Sequence, residues 1–155
     1  MDKLDICTVA DWFLTHESMT HKKLQKLLYF SYGYYIASYN NNVSKLENEM
    51  FENDFEAWVH GPVSPKIYNL YRDAGYKIIS KDKNTPVILT EKVEDVLFLV
   101  LNRFMDKDGD DLERMTHNQF PWLNARNGLS PIEPCSNPIT KEDIFVFFKE
   151  SNMTI

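Results

Sequence analysis

Four histidines, His16, His21, His60 and His117, are the side chains of this sequence best suited to moving protons or holding a metal near neutral pH. They are too scattered along the chain to form a ligand set by spacing. His60 and His117 lie beside tryptophans, Trp58 and Trp122, and Arg126 follows the second. If the fold gathered His60, His117 and Arg126, they would make a shared polar site suited to a small enzyme or a nucleotide-binding protein. The competing reading, and the commoner one for lone histidines, is a pair of hydrogen-bonded structural residues. No catalytic residue is assigned, because the motifs GxxxxGK[ST], GxGxxG, HExxH and GxSxG are all absent. Residues 106–111, DKDGDD, resemble the start of a calcium loop, but the sixth and twelfth positions hold Asp111 and His117 where Gly and Glu are needed. That run reads as a solvated turn, and neither a metal nor a cofactor is expected. Cys7 and Cys135 form no CxxC pair and read as small buried hydrophobes in a reducing compartment.

Lys22, Lys23 and Lys26 open a helix, where the backbone dipole disfavours positive charge by a few tenths of a kcal/mol each. An acidic or phosphate-bearing partner would explain them; a solvated basic face is the commoner explanation. A net charge of −6 repels phosphate backbones, so nucleic acid is not an expected partner. The longest apolar run, residues 96–101, is far short of a membrane span, and the first residues lack the basic and apolar regions of a signal peptide. A cytoplasmic protein without a membrane partner is expected.

The elements that must position these groups follow from periodicity. A chain of 155 residues fits one domain. Ile6, Val9, Ala10 and Phe13 predict a short first helix. Thr20 caps a second, with Leu24, Leu27, Leu28, Ser31, Tyr32 and Tyr35 on one stripe; Phe30 and Tyr34 widen the stripe, so the helix is enclosed, and Gly33 permits a close helix approach. Asn40, Asn41 and Asn42 stop it, and a loop follows with a short turn at 46–50. Phe55, Ala57 and Val59 alternate as a strand. Gly61 and Pro62 form a structural turn that ends it, and Ser64 caps a helix with Pro65 at its first position, running to Gly75. Residues 76–79 and 87–89 predict a hairpin or two irregular extended segments. Thr90 caps a helix with Val93, Val96, Leu97, Val100, Leu101 and Phe104 inward. Leu112 to Asn118 restart a helix, Pro121 sits before Trp122 as helix punctuation, and Asn127-Gly128 end that element. Thr140 and Asp143 start the last helix, with Ile144, Phe147 and Phe148 inward. The fold class is mainly α, with a small minor sheet: a single-domain, helical-bundle-like fold over residues 1–155.

Three blocks carry a further resemblance: MTHKKLQKLLYFSYGYYIA (19–37), FEAWVHGPVSPKIYNLYRDAG (55–75) and THNQFPWLNARNG (116–128). In this order and rough spacing they resemble the Panacea, or SocA-like, antitoxin domain of toxin–antitoxin operons and prophages, over a core of about residues 5–150. The resemblance implies a protein that neutralises a cognate toxin by direct protein–protein binding, the toxin's own class varying across the family. It also implies two alternatives, a prophage-encoded module or protease adaptor acting on a host protein, and delivery of the toxin to an ATP-dependent protease, for which the tail 151–155 would be exposed. Many family members add a DNA-binding segment; this chain is nearly all domain. Trp and Tyr are frequent interface anchors, so the partner surface expected is Trp58, His60, Tyr68, Tyr71, Trp122 and Arg126.

Overall fold

Helix starts are set by short side chains that take up free backbone N–H groups, and six of them punctuate this chain. Asp5 accepts from the Cys7 N–H, Thr20 from Lys23, Ser64 from Ile67, Thr90 from Val93, Asp108 from Asp111 and Thr140 from Asp143. The computed structural model describes residues 3–80, 82, 84 and 86–151. Among them the chain forms α1 (Ile6–His16), β1 (Met19–Thr20), α2 (His21–Ser38), β2 (Glu56–Trp58), β3 (Gly61–Val63) and α3 (Pro65–Tyr71), which a 3-10 turn (Arg72–Ala74) extends. There follow β4 (Ile78–Ile79), α4 (Glu91–Arg103), α5 (Gly109–His117), α6 (Phe120–Arg126) and α7 (Lys141–Glu150). The fold is mainly helical, with two small two-stranded sheets.

Helix α2 is the axis of the molecule. Every residue from Lys23 to Ala37 is buried, enclosed by α1, α3, α4, α5, α7 and β3. Its rings build the core: Phe30 lies 4.6 Å from Phe104, which caps the end of α4, and Tyr29 and Tyr34 meet the edge of Phe148 of α7. Gly33 makes the α7 approach feasible. A Cβ at this position would lie 2.3 Å from Phe148 Cε2, inside any tolerable contact.

Several local expectations change in three dimensions. Residues 76–79 and 87–89 do not form a hairpin; Ile78 and Ile79 pair antiparallel with Thr20 and Met19, and 87–89 carry no strand. The chain leading into α2 is extended and offers its own unpaired backbone, so it supplies the nearer ladder. Gly61 and Pro62 lie in β3, paired with Trp58 and Ala57, and the turn proper is Val59-His60. Residues 46–50 form no helical turn; Asn40 instead holds the Asn48 carbonyl at 2.8 Å and accepts from its N–H at 3.1 Å, so the loop is packed by a side chain. Residues 106–111 are more than a solvated turn, since Asp108 and Asp111 form a reciprocal capping box that starts α5. Pro121 stands at the start of α6. In α7 the buried set is Ile144, Phe145 and Phe148, with Phe147 half-buried. Residues 152–155, most of the tail expected to be exposed, lie outside the described residues.

Replacing Gly33 by Ala should force the Phe148 ring aside and cost about 1–3 kcal/mol, the range for overpacked cores. Urea unfolding followed by circular dichroism measures it; an unchanged midpoint would mean that α7 can retreat freely.

Candidate functional site

The hairpin β2–β3 is held from behind by three side chains from the α5–α6 region. Arg126 Nη1 donates to the Ala57 carbonyl at 2.9 Å, Trp122 Nε1 to the Trp58 carbonyl at 2.8 Å, and His117 Nε2 lies 2.8 Å from the Val59 carbonyl. Three successive carbonyls thus have three successive partners. For His117 to donate there, its proton must sit on Nε2. His117 stacks on Trp122 at 4.2 Å, and the Arg126 guanidinium lies over the same indole at 4.7 Å. Arg126 Nη2 also donates to the carbonyls of Ser130 (2.7 Å) and Glu133 (2.5 Å). This clamp is the physical link between the sequence blocks 55–75 and 116–128.

In front of the clamp, between the hairpin, α2 and α3, lies a cavity of about 330 Å³. Helix α2 lines it with His21, Lys22, Gln25 and Lys26, the hairpin with Trp58, His60 and Val63, and the α3 side with Tyr68, Arg72, Gly75 and Tyr76. Gln25 fixes the local geometry: it donates to the Ser64 carbonyl at 3.1 Å and accepts from the Ser64 N–H at 2.9 Å. That orientation leaves its second amide N–H for His21 Nε2 at 3.1 Å, so His21 accepts there and carries its proton on Nδ1. Burial, with Lys26 nearby, pushes His21 down to about 4.

Lys26 is 1% exposed, and its ammonium donates to the Pro62 carbonyl at 3.0 Å. Burial pushes it down to about 7, with the Glu113 carboxylate opposing the shift and Lys22 adding to it. Gly61 is required above this side chain. Its φ of +101° suits glycine, and a Cβ there would meet Lys26 Cε and Thr116 Oγ1 at 2.8 Å. Glu113 is the charge hub beside the cavity, 2.7 Å from Lys22 Nζ, 3.1 Å from His60 Nδ1 and, through its other oxygen, 4.0 Å from His117 Nε2. Burial alone would raise its carboxyl, but Lys22, helped by His60 and His117, outweighs burial and holds it below the ordinary range. Burial pushes His117 down, and Glu113 only partly restores it.

The six residues expected at a partner surface therefore occupy three different places. Trp58, His60 and Tyr68 line the cavity, with Trp58 and Tyr68 edge to face at 4.8 Å. Tyr71 is half-buried against His21. Trp122 and Arg126 are each 2% exposed, inside the protein and behind the hairpin. His60 lines the cavity, whereas His117 and Arg126 bond hairpin carbonyls behind it; Glu113 joins the two histidines, and Arg126 is committed to backbone carbonyls. The lysines form no solvated basic face: Lys22 pairs with Asp110 and Glu113, Lys23 with Glu17, and Lys26 is interior. Enclosure of α2 on all sides causes this. Among the described residues no group of three or more His, Cys, Asp or Glu is placed to hold a metal. Sequence reading missed His21, Gln25, Arg72 and Tyr76 as cavity residues; the one available signal was a set of lysines against the helix dipole.

The class these features define is a mainly helical domain with a cationic, aromatic cavity under a clamped hairpin. Residues 24–123 match the model of the antitoxin SocA-like, Panacea domain, and the chain belongs to that family. The match covers every cavity residue except His21 and Lys22. Membership indicates an antitoxin-type role and, in general, a toxin partner. No curated protein and no solved structure is a match for the chain. No described helix is long and apolar enough to cross a membrane.

Two outcomes follow from this geometry. Arg126→Met would strand the carbonyls of Ala57, Ser130 and Glu133 and should cost roughly 2–4 kcal/mol by chemical denaturation; a change within error would show the clamp to be dispensable. An unfolded histidine titrates near 6.5, whereas folded His21 titrates at about 4, so on acidification the unfolded chain binds the proton first. This contribution is complete above about 6.5 and is lost progressively as pH falls towards 4. The melting temperature of His21→Gln should accordingly fall less steeply over that window than that of the parent, and parallel curves would contradict a neutral buried His21.

Proposed function

We propose that this chain neutralises a cognate toxin protein by binding it directly, as a cytoplasmic protein acting without catalysis and without a cofactor. The observation that carries this reading is a single cavity in which Trp58, Tyr68 and Tyr76 stand with Lys22, Lys26 and Arg72, within a domain of an antitoxin family. Aromatic and arginine side chains around a recess are the usual anchors of protein interfaces, where a few residues contribute most of the binding energy. Tyr76 is 93% exposed and Tyr68 36%, so both rings have area to lose to a partner. The proposed contacts are Trp58, His60, Tyr68, Arg72 and Tyr76. Trp122 and Arg126 serve behind them by fixing the hairpin, and Tyr71 backs His21. The clamp matters here because a rigid rim loses less conformational entropy on binding than a mobile one.

The test is co-expression in a bacterial host with the product of the neighbouring gene, scoring growth with each alone and with both. Growth arrest by the neighbour and rescue by this chain are expected. Trp58→Ala combined with Tyr68→Ala should abolish rescue while the circular-dichroism melt shifts by only a few degrees. A harmless neighbour overturns the reading, and loss of folding together with rescue overturns the assignment of these rings to the interface.

A further inference from the structure

We propose that the cavity beneath the hairpin is also a binding site for a small ligand that joins a phosphate to a planar ring, of which a nucleoside monophosphate is the simplest example. This goes beyond toxin neutralisation and does not depend on it, since the chain can bind such a ligand whether or not its neighbour is toxic.

The argument starts from Lys26. An ammonium has three N–H donors, and this one is interior with a single neutral acceptor, the Pro62 carbonyl. No carboxylate among the described residues pairs with it; Glu113, the carboxylate whose charge acts on it, is bound by Lys22 and His60. Burying an unpaired charge is costly, and a countercharge repays it. An anion in the cavity would supply that countercharge.

The rest of the lining has the same polarity. Arg72 is exposed and has no carboxylate partner among the described residues, and no Asp or Glu lines the cavity. Solubility does not account for an acid-free, cation-bearing recess in a chain of net charge −6. His21 adds a neutral donor, because Gln25 occupies its Nε2 and its Nδ1–H has no partner among the described residues. Trp58, Tyr68 and Tyr76 supply ring faces, and stacking a base on an aromatic side chain is worth about 1–3 kcal/mol. The volume of about 330 Å³ falls at the lower end for small-molecule sites. A bare phosphate would leave the aromatic walls uncovered, and an uncharged ring would leave Lys26 uncompensated. A ligand with both parts satisfies both.

The charged and titratable groups around Lys26 are Lys22 and His21 on α2, Glu113 and His117 on α5, His60 on the hairpin, and Tyr68 and Arg72 across the cavity on the α3 side. In the free protein burial pushes Lys26 down to about 7. An anion favours the ammonium, so binding takes up a proton, and affinity should fall as pH rises above 7.

The experiment titrates the full chain with AMP and GMP, with adenosine and inorganic phosphate as separate arms, by calorimetry and by tryptophan fluorescence. Trp12 and Trp122 are buried, so a ligand-dependent change reports Trp58 and should vanish in Trp58→Phe. Saturable binding of AMP or GMP is expected, about tenfold or more tighter than adenosine or phosphate and weaker at pH 9 than at pH 7. Lys26→Met should lower affinity about tenfold or more with an equal or higher melting temperature. Arg72→Gln, an exposed change that leaves packing intact, should weaken binding several-fold and serves if Lys26→Met does not fold. The proposal is overturned if neither nucleotide saturates at millimolar concentration, if phosphate alone binds as tightly, or if the Lys26 and Arg72 variants bind like the parent.

Discussion

The structure depends on one constraint: α2 is enclosed on every side although a large part of it is polar. A helix with an exposed face can send polar groups to water, and an enclosed one must find them protein partners, because each stranded group costs about 1–3 kcal/mol. The neighbours of α2 are arranged accordingly. Tyr29 donates to Gln119, Tyr32 to Glu49 at 2.5 Å, and Tyr34 accepts from Arg103. Gln25 and Lys26 bond the backbone of Ser64 and Pro62. These bonds tie α2 to the start of α6, the 39–54 loop, α4 and the hairpin, so the polar content of one helix fixes the placement of four other regions. Within α2 the exception is the Tyr35 hydroxyl, which is buried without a hydrogen-bond partner among the described residues.

The hairpin is short, and two three-residue strands have little stability of their own. It persists because the backbone of β2 and of the turn is bonded from outside the hairpin. Ala57 donates to the Asn137 carbonyl, Phe55 accepts from Ile139, and the carbonyls of residues 57–59 take the Arg126, Trp122 and His117 side chains. A mobile turn thereby becomes a fixed rim for the cavity. The guanidinium is suited to this task, since its planar fork reaches several carbonyls while its face lies on an indole.

Around the cavity two electrostatic effects compete. Burial disfavours the charge on both Lys26 and Glu113, yet the outcomes differ. Glu113 has a cation at 2.7 Å, and its charge is retained. Lys26 has only a carbonyl, and burial prevails. A paired acid beside an underpaired base leaves a recess that is receptive to anions within a chain that is acidic as a whole.

How much of this was legible in the sequence depends on the range of the interactions. Thr20, Ser64, Thr90 and Thr140 could be read as helix caps because a cap bonds a backbone N–H three residues away, a distance fixed by helical geometry whatever surrounds it. The enclosure of α2 and the need for Gly33 were legible for the same reason, since apolar residues on more than one face require neighbours. The partner of Ile78-Ile79, the interior position of Lys26 and the clamp were not. Arg126 and Trp122 read as interface anchors and His117 more readily as a hydrogen-bonded structural histidine, which it is, but none of their carbonyl partners, 69, 64 and 58 residues away, could be named. Contacts at that separation are decided by how the helices pack and by which buried polar groups must be satisfied. The sequence by itself determined most of the helices, the starts capped by Thr20, Ser64, Thr90 and Thr140, and the family, but not the start of α5, which lies at Gly109 behind Asp108; the tertiary structure alone decided which charges were buried and which residues faced the cavity, because burial is a property of the assembled layers and not of any local segment.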